Sequence, residues 1–75
     1  MEEQILISIE SVSLKKVGLT DSLIKSGILD SITLVDLAVE LEKKFDLSIP
    51  FTDINENNFE TAEKINHYIL QKKQP

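Results

Sequence analysis

Two Asp-Ser pairs, Asp21-Ser22 and Asp30-Ser31, contain the serine hydroxyls of this chain that are best placed for chemistry. A serine hydroxyl becomes a catalytic nucleophile when a base activates it, and otherwise it can accept a covalent modification. The chain has no cysteine, and its one histidine, His67, belongs to a distant predicted helix. Because no base partner is apparent, these serines are better candidates for a modification than for catalysis. We therefore expect no catalytic residue and no metal site.

Ser31 is favoured over Ser22 because of the segment that follows each serine. Ser31 opens an uninterrupted helical segment that runs to about Phe45, whereas Gly27 interrupts the segment after Ser22. Asp30 or Ser31 can supply the cap oxygen of this helix. Since a helix N-terminus favours negative charge, a phosphate ester on Ser31 is expected to find free backbone N–H groups there. A serine at this place can also be a helix cap and nothing more.

Helices are predicted on both sides of this site. The first runs from about Glu2 to Val17, with a strand as the alternative between Ile5 and Ile9, where β-branched residues are frequent. An ordered loop covers residues 18 to 30, and its five apolar residues are expected to pin it over the helices. These are Leu19, Leu23, Ile24, Ile28 and Leu29.

After the Ser31 helix, a short turn of helix is predicted from Thr52 to Asn55, ended by Asn57-Asn58. The last helix is predicted to begin at Thr61 as its cap and to run to about Gln71. The predicted fold is therefore all-α, a small four-helix bundle of three long helices and one short helix with a long first loop. A single domain is expected over residues 1–75.

The Ser31 helix carries two apolar stripes on a helical wheel. The first is the predicted core face and consists of Leu34, Leu37, Ala38, Leu41 and Phe45. The second is narrow, lies beside Ser31 and has charged neighbours; it consists of Ile32, Val35 and Val39. A small docking patch with a charged rim is one interpretation of this second stripe. A wide core face that extends to cover these residues is the other.

Composition limits the kinds of partner. The 75 residues carry a formal net charge of -5, with thirteen acidic residues against eight lysines and no arginine. This balance argues against nucleic acid and favours partners with basic docking surfaces. No stretch approaches the ~20 apolar residues that span a bilayer, and the acidic start of the chain is unlike a secretory signal. We expect a cytoplasmic monomer that binds no nucleic acid and does not insert into membranes.

The stretch from Thr20 to Ile32, Thr-Asp-Ser-Leu-Ile-Lys-Ser-Gly-Ile-Leu-Asp-Ser-Ile, resembles the attachment site of acyl and peptidyl carrier proteins. In that family an Asp-Ser-Leu or Asp-Ser-Ile motif opens the second helix, and the serine is phosphopantetheinylated. Phe45, Ile49-Pro50 and Phe59 extend the likeness at matching spacings, so that it covers most of residues 20 to 70. The resemblance implies the helical bundle of an acyl carrier protein.

The resemblance also implies roles for individual residues. Ser31 matches the serine that bears 4′-phosphopantetheine, which is taken covalently from coenzyme A. Asp30 matches the acidic residue that helps the modifying phosphopantetheinyl transferase and its magnesium ion. The second-helix positions that the family uses to dock partners are Ile32, Val35, Asp36, Val39 and Glu40. This set contains the second apolar stripe, which was identified from the wheel alone.

Three features depart from the fatty-acid-synthesis carriers. Thr33 stands near a position that those carriers usually give to an acidic residue, and Lys43-Lys44 reduces the acidity of the helix. The segment before Ser31 is also several residues shorter than usual. The pattern is more similar to stand-alone carriers of specialised pathways, which include D-alanyl carriers and those beside nonribosomal peptide or polyketide enzymes.

The resemblance implies a carrier and not an enzyme. Its arm holds an acyl or aminoacyl group as a thioester, which an activating ligase loads and a downstream acyltransferase or condensing enzyme receives. The sequence does not identify the cargo. One alternative is an unmodified helical protein-interaction module in which Ser31 only caps a helix. Another is a small helix-turn-helix regulator, which the acidic balance disfavours.

Overall fold

The apolar periodicity of the three long segments produces three long helices. In the computed structural model, which describes residues 1–73, no strand is present, so the strand alternative for the first segment is wrong. Helix α1 packs against α2 and α4, and the short α3 packs against α4. The elements are α1 (Glu2–Ser13), α2 (Ser31–Phe45), a 3₁₀ helix (Phe51–Asp53), α3 (Glu56–Phe59) and α4 (Ala62–Lys73).

Helix α1 ends earlier than the apolar pattern predicted. It stops at Ser13 and not at Val17, because Leu14 adopts a left-handed conformation with φ 61° and ψ 24°. The Leu14 N–H donates to the carbonyl of Glu10 at 2.8 Å, which closes the helix. The Ser13 hydroxyl donates to the carbonyl of Ile9 at 2.7 Å, a local bond that competes with the regular helix. A prediction based on apolar spacing could not include these contacts.

The core forms where the buried stripes of the long helices meet. The predicted core face of α2 is confirmed, since all five of its residues are buried. Ser8 of α1 is fully buried, and its hydroxyl accepts a hydrogen bond of 2.8 Å from Lys44 Nζ of α2. The other core side chains are apolar and include Ile5, Ile9, Leu23, Leu29, Ile49, Phe59, Ala62, Ile65, Tyr68 and Ile69.

The loop before α2 packs on this core, as predicted. Leu23 and Leu29 are fully buried, and Leu19, Ile24 and Ile28 are half-buried against the core. Gly27 turns the loop at φ 83°, a left-handed value that glycine adopts without a steric cost. The chain therefore enters α2 from a fixed position.

The connection between α2 and α4 differs in detail from the prediction. A 3₁₀ helix occupies Phe51–Asp53, and a separate helix α3 occupies Glu56–Phe59. The prediction that Asn57-Asn58 ends a helix is wrong, because both residues lie inside α3. The Asn55 side chain caps α3 by accepting the Asn58 N–H at 3.1 Å, and the buried Phe59 anchors it.

The start of α4 agrees with the sequence. Thr61 caps the helix, since its hydroxyl accepts the N–H of Lys64 at 3.1 Å, and α4 runs on to Lys73, beyond the predicted end at Gln71. Within residues 1–73, no helix has both the length and the apolar character that crossing a bilayer would require.

Candidate functional site

The start of α2 is held by a reciprocal cap. Asp30 has an extended backbone, and its Oδ1 accepts the N–H groups of Ile32 at 3.0 Å and Thr33 at 2.9 Å. In return, Oγ1 of Thr33 accepts the N–H of Asp30 at 2.8 Å. The Thr33 hydroxyl lies 3.0 Å from Oδ1 of Asp30 as well. Asp30, and not Ser31, therefore supplies the cap oxygen of α2.

Ser31 is left free by this arrangement. It is the first residue of α2 and is exposed to solvent. Among residues 1–73 no hydrogen bond engages its hydroxyl, because the neighbouring Asp30 performs the capping. An ester on Ser31 Oγ can thus project into solvent without displacing any side chain, and the serine fits the attachment of a phosphopantetheine arm.

The prediction that a phosphate on Ser31 finds free backbone N–H groups is wrong for two of those groups. The N–H groups of Ile32 and Thr33 already donate to Asp30 Oδ1. A carboxylate near the positive end of the helix also neutralises part of the local field. Asp30 therefore takes the place that the sequence analysis assigned to the phosphate.

Asp30 is an ionised neighbour of Ser31 at neutral pH. Hydrogen bonds from the Thr33 backbone N–H and the Thr33 hydroxyl hold the pKa of Asp30 below its usual 3.8. Both bonds use Oδ1, and within residues 1–73 the second oxygen, Oδ2, accepts no hydrogen bond. A negatively charged oxygen is therefore available beside the free serine hydroxyl.

Ser22, the competing serine, is engaged elsewhere. Its hydroxyl donates to the carboxylate of Glu60, and the residue is half-buried. Glu60 also accepts the N–H groups of Ile24 at 3.1 Å and Lys25 at 3.2 Å through Oε1. The hydrogen bond from the Ser22 hydroxyl is the main reason that the pKa of Glu60 lies below its ordinary value. The structure thus distinguishes the two Asp-Ser pairs, since one serine is bound in a contact and the other is free.

Sequence reasoning missed the part that Glu60 plays in this loop. In the sequence, Glu60 is only the residue before Thr61, the predicted cap of the last helix. An acidic residue next to a helix cap is ordinary on a surface, and nothing local connects it to Ser22, which is 38 residues earlier. A run of backbone N–H groups without a helical partner, at residues 22 to 25, was the one available signal that the loop needs an acceptor.

The second stripe of α2 lies on the surface. Ile32 is 71 % exposed, Val35 39 % and Val39 43 %, so the alternative of a wide core face is wrong. Asp36 and Glu40, the charged members of the predicted docking set, are exposed and half-buried respectively. The stripe begins directly beside Ser31 and continues along one side of α2.

Two of the departures from the fatty-acid-synthesis carriers have structural roles. Thr33 completes the cap with Asp30, as an acidic residue in a capping box would. Lys44 turns towards α1, where its Nζ donates to Ser8 and lies 3.4 Å from the carbonyl of Gln4. Thr33 therefore serves the cap of α2, and Lys44 does more than add a positive charge to the helix surface.

Within residues 1–73, no hydrogen bond joins His67, Phe51 or Tyr68 to the start of α2. His67 is on the exposed side of α4, and Phe51 is 77 % exposed in the 3₁₀ helix. Tyr68 is buried, and its hydroxyl donates to Oδ2 of Asp53 at 2.6 Å. This hydrogen bond joins α4 to the 3₁₀ helix and does not involve Ser31.

Comparison with known proteins agrees with the geometry of the serine. The chain matches the family described as "Phosphopantetheine attachment site" over residues 3–69. It is 40 % identical over 76 residues to the D-alanyl carrier protein of Lactococcus lactis subsp. lactis (strain IL1403), with 97 % of this chain and 96 % of that protein covered. Identity is 37 % over 75 residues to the D-alanyl carrier protein of Lactococcus lactis subsp. cremoris (strain MG1363), covering 96 % of this chain and 95 % of that protein.

A third relative is the D-alanyl carrier protein of Streptococcus suis (strain 05ZYH33). It is 34 % identical over 67 residues, with 87 % of this chain and 85 % of that protein covered. The matched residues include both Asp-Ser pairs and all of α2. Residues 1–73 form an all-helical bundle in which no hydrogen bond engages the serine hydroxyl at the start of α2. The chain belongs to the acyl carrier protein family, and it bears a covalent 4′-phosphopantetheine arm.

Proposed function

We propose that Ser31 is the residue that bears the arm and that the arm carries a D-alanyl group as a thioester. The observation that carries the assignment of Ser31 is its free, exposed hydroxyl at the first position of α2, beside the ionised Asp30. The D-alanyl cargo is supported by relatives that match nearly the whole chain. Carrier proteins do no chemistry of their own, and we propose the same for this chain.

The attachment reaction needs little from the carrier beyond an accessible hydroxyl. A phosphopantetheinyl transferase joins Ser31 Oγ to the phosphorus next to the pantetheine of coenzyme A. The pyrophosphate bond of coenzyme A breaks, and adenosine 3′,5′-bisphosphate leaves. The proton of the Ser31 hydroxyl goes to a base on the transferase. Asp30 Oδ2 would help to hold the magnesium ion of the transferase. Once attached, the arm supplies a terminal thiol that can hold the cargo as a thioester.

The second stripe of α2 is the proposed docking surface for partner enzymes. Ile32, Val35 and Val39 offer exposed apolar area next to the arm, and Asp36 and Glu40 supply negative charge beside it. Such a patch, on a protein with a net charge of -5, suits transient binding to enzymes with basic surfaces. The proposed partners are the transferase, an activating ligase that loads the cargo and an acyltransferase that receives it.

The attachment residue is tested by mass spectrometry. The purified chain is incubated to completion with coenzyme A and a transferase of broad specificity. We expect the wild type and Ser22→Ala to gain the mass of one phosphopantetheine group, and Ser31→Ala to gain nothing. No mass gain in the wild type, or a gain that persists in Ser31→Ala, would contradict the assignment.

The cargo is tested on the phosphopantetheinylated chain. Incubation with ATP and the D-alanine-activating ligase of a related organism should add one D-alanyl group, which hydroxylamine removes because it is a thioester. A chain in which Ser31 has been replaced should accept none. Loading of a fatty acyl group by an acyl-activating ligase, without loading of D-alanine, would contradict the D-alanyl cargo while leaving Ser31 as the attachment residue.

A further inference from the structure

Glu60 is the acceptor around which the loop before Ser31 is arranged. Its Oε1 accepts the N–H groups of Ile24 and Lys25, and its carboxylate also accepts the hydroxyl of Ser22. The backbone carbonyl of Glu60 accepts the N–H of Leu23 at 2.8 Å. Glu60 thus accepts hydrogen bonds from four consecutive loop residues, 22 to 25. Within residues 1–73, these donors have no partner inside a helix.

Hydrogen bonds continue from this contact to the attachment site. The Leu23 carbonyl accepts the N–H of Leu29 at 2.8 Å, and Leu29 directly precedes Asp30. Leu23 and Leu29 are both fully buried, so this link is shielded from competing water. A continuous path therefore runs from Glu60 through Leu23 and Leu29 to Asp30 and Ser31.

Glu60 itself is held in place by its neighbours. Its N–H donates to the carbonyl of Glu56 at 3.2 Å at the end of α3, and the next residue, Thr61, caps α4. The preceding residue, Phe59, is fully buried, and its ring lies 5.8 Å from the ring of Tyr68. The carboxylate is thus presented to the loop from a rigid junction between two helices.

We propose that Glu60 is a positioning residue for the modification of Ser31: it fixes the turn that presents Asp30 and Ser31 to the transferase. This inference rests on the proposed attachment at Ser31. A small displacement of a reacting hydroxyl costs a large factor in rate, since the reacting atoms must be aligned. Loss of the Glu60 contacts frees the loop to move, while the buried stripe of α2 still holds the helix itself.

The test compares Glu60→Ala and Glu60→Gln with Glu63→Gln. The side chain of Glu63 is exposed on α4, so Glu63→Gln removes the same charge from the same region and keeps the backbone hydrogen bond of 3.0 Å from the Glu63 N–H to the Leu19 carbonyl of the loop. Initial rates of mass gain are measured over a range of carrier concentrations, well below the unfolding temperature of every variant. We expect kcat/KM to fall about tenfold or more for Glu60→Ala, less for Glu60→Gln, and to stay within about twofold for Glu63→Gln.

Amide hydrogen exchange supplies a reading that does not depend on the transferase. In Glu60→Ala the amides of Ile24, Lys25 and Leu29 should exchange faster, while those of Leu37 and Leu41 in the core of α2 stay protected. The Glu60→Gln variant, which keeps one acceptor oxygen, serves in the same assays if the alanine variant does not fold.

The outcomes separate this inference from the proposal on which it rests. If the wild type gains no mass, the attachment proposal fails and the role of Glu60 fails with it. If the wild type is modified and Glu60→Ala reacts at the same rate, with its loop amides exchanging faster, Glu60 stabilises the loop but does not position Ser31. Equal losses in Glu60→Ala and Glu63→Gln would show an effect of charge alone and would also overturn the inference.

Discussion

At the scale of single residues, Asp30 caps α2 with one carboxylate oxygen, and we propose that the other oxygen serves the transferase. Oδ1 caps α2, and Oδ2 is free of hydrogen bonds among residues 1–73. The phosphodiester of an arm on Ser31 then lies beside a carboxylate and not in a nest of free N–H groups. Like charges repel, so the phosphate has no reason to settle on the helix end. A carrier benefits from this, because its arm must leave the surface to reach partner enzymes.

The two functions of Asp30 can be tested apart. In Asp30→Ser a hydroxyl can still cap α2, whereas the negative charge is lost; Asp30→Ala loses both. We expect Asp30→Ser to melt close to the wild type and Asp30→Ala to melt several degrees lower. Modification by the transferase should be slowed at least about tenfold in both variants, since each lacks the charge beside Ser31. Thermal unfolding followed by circular dichroism and initial rates of mass gain provide the two measurements.

Thr33→Ala is the control for this pair. It weakens the cap from the other side, because Thr33 Oγ1 accepts the N–H of Asp30, and it leaves the charge in place. Its stability should fall, but its rate of modification at low temperature should remain near that of the wild type. A rate in Asp30→Ser equal to the wild-type rate would show that Asp30 serves only as a cap.

At the scale of elements, α2 has two apolar sides, one in the core and one on the surface. One side is buried against α1 and the core, and the other is exposed beside Ser31, the proposed attachment residue. Two stripes on one helix create a risk, because exposed apolar area promotes unwanted association. The stripe is narrow and has charged neighbours such as Asp36, which limits that risk while leaving apolar contacts for a partner.

Substitutions on the two sides of α2 should differ in how much stability they cost. Val39→Asp places a charge on the exposed stripe and should cost less than about 1 kcal/mol of unfolding free energy. Leu37→Asp buries a charge in the core and should cost more than about 3 kcal/mol. Loading of the arm by the activating ligase should fall about tenfold for Val39→Asp, because a docking contact is lost. Denaturant unfolding and single-turnover loading measure the two quantities.

A control for charge alone is Ser48→Asp, since Ser48 is exposed in the connection after α2. It should leave both stability and loading near their wild-type values. A large loss of stability in Val39→Asp would place Val39 in the core, and unchanged loading would remove the stripe from the docking surface.

The elements also show how far the sequence alone could predict this structure. The two sides of α2 and the cap of α4 at Thr61 were predictable, since periodicity and capping are local properties. The early end of α1 depends on the conformation of Leu14 and on the Ser13 side chain, which apolar spacing does not contain. The contact between Ser22 and Glu60 joins distant parts of the chain, so it appears only when the chain is folded.

The candidate site was also predictable from the sequence in part. Ser31 and its motif were visible in the sequence, and in the described part of the chain, residues 1–73, no hydrogen bond engages its hydroxyl. The occupation of the helix N–H groups was missed, because either Asp30 or Ser31 could have been the cap by residue type. The side-chain geometry of Asp30 decided between them.

At the scale of the whole molecule, ionisable groups at three junctions depend on the fold. Asp30 caps α2, Glu60 binds the first loop, and Tyr68 joins α4 to the 3₁₀ helix. Hydrogen bonds keep the pKa of Asp30 and Glu60 below their ordinary values of 3.8 and 4.5. Burial, and then the hydrogen bond to Asp53, raises the pKa of Tyr68 above its ordinary value of 10.0. Because of these pKa shifts, the stability of the fold depends on pH under both acidic and alkaline conditions.

The direction of each effect follows from the protonation of the unfolded chain. For Glu60 and Asp30 the contribution to stability is fully present above the ordinary pKa and is lost as the pH falls through the lowered pKa of the folded state. For Tyr68 it is fully present below pH 10.0 and is lost as the pH rises towards the raised pKa. The unfolding temperature should therefore have a plateau between about pH 5 and pH 9 and decline on both sides.

Single variants identify the groups that produce each decline. Glu60→Gln should melt lower than the wild type on the plateau but lose less on acidification, because its side chain does not titrate. Tyr68→Phe should flatten the alkaline decline and leave the acid decline unchanged. Acidification also brings the net charge of -5 to zero near the isoelectric point of about 4.7 and makes it positive below that pH, so repulsion within the whole molecule changes over the same range. Glu63→Gln changes the overall charge by the same amount as Glu60→Gln and therefore serves as the control. If the unfolding temperatures of the two variants fall in parallel below about pH 5, the protonation of Glu60 does not contribute to the acid decline.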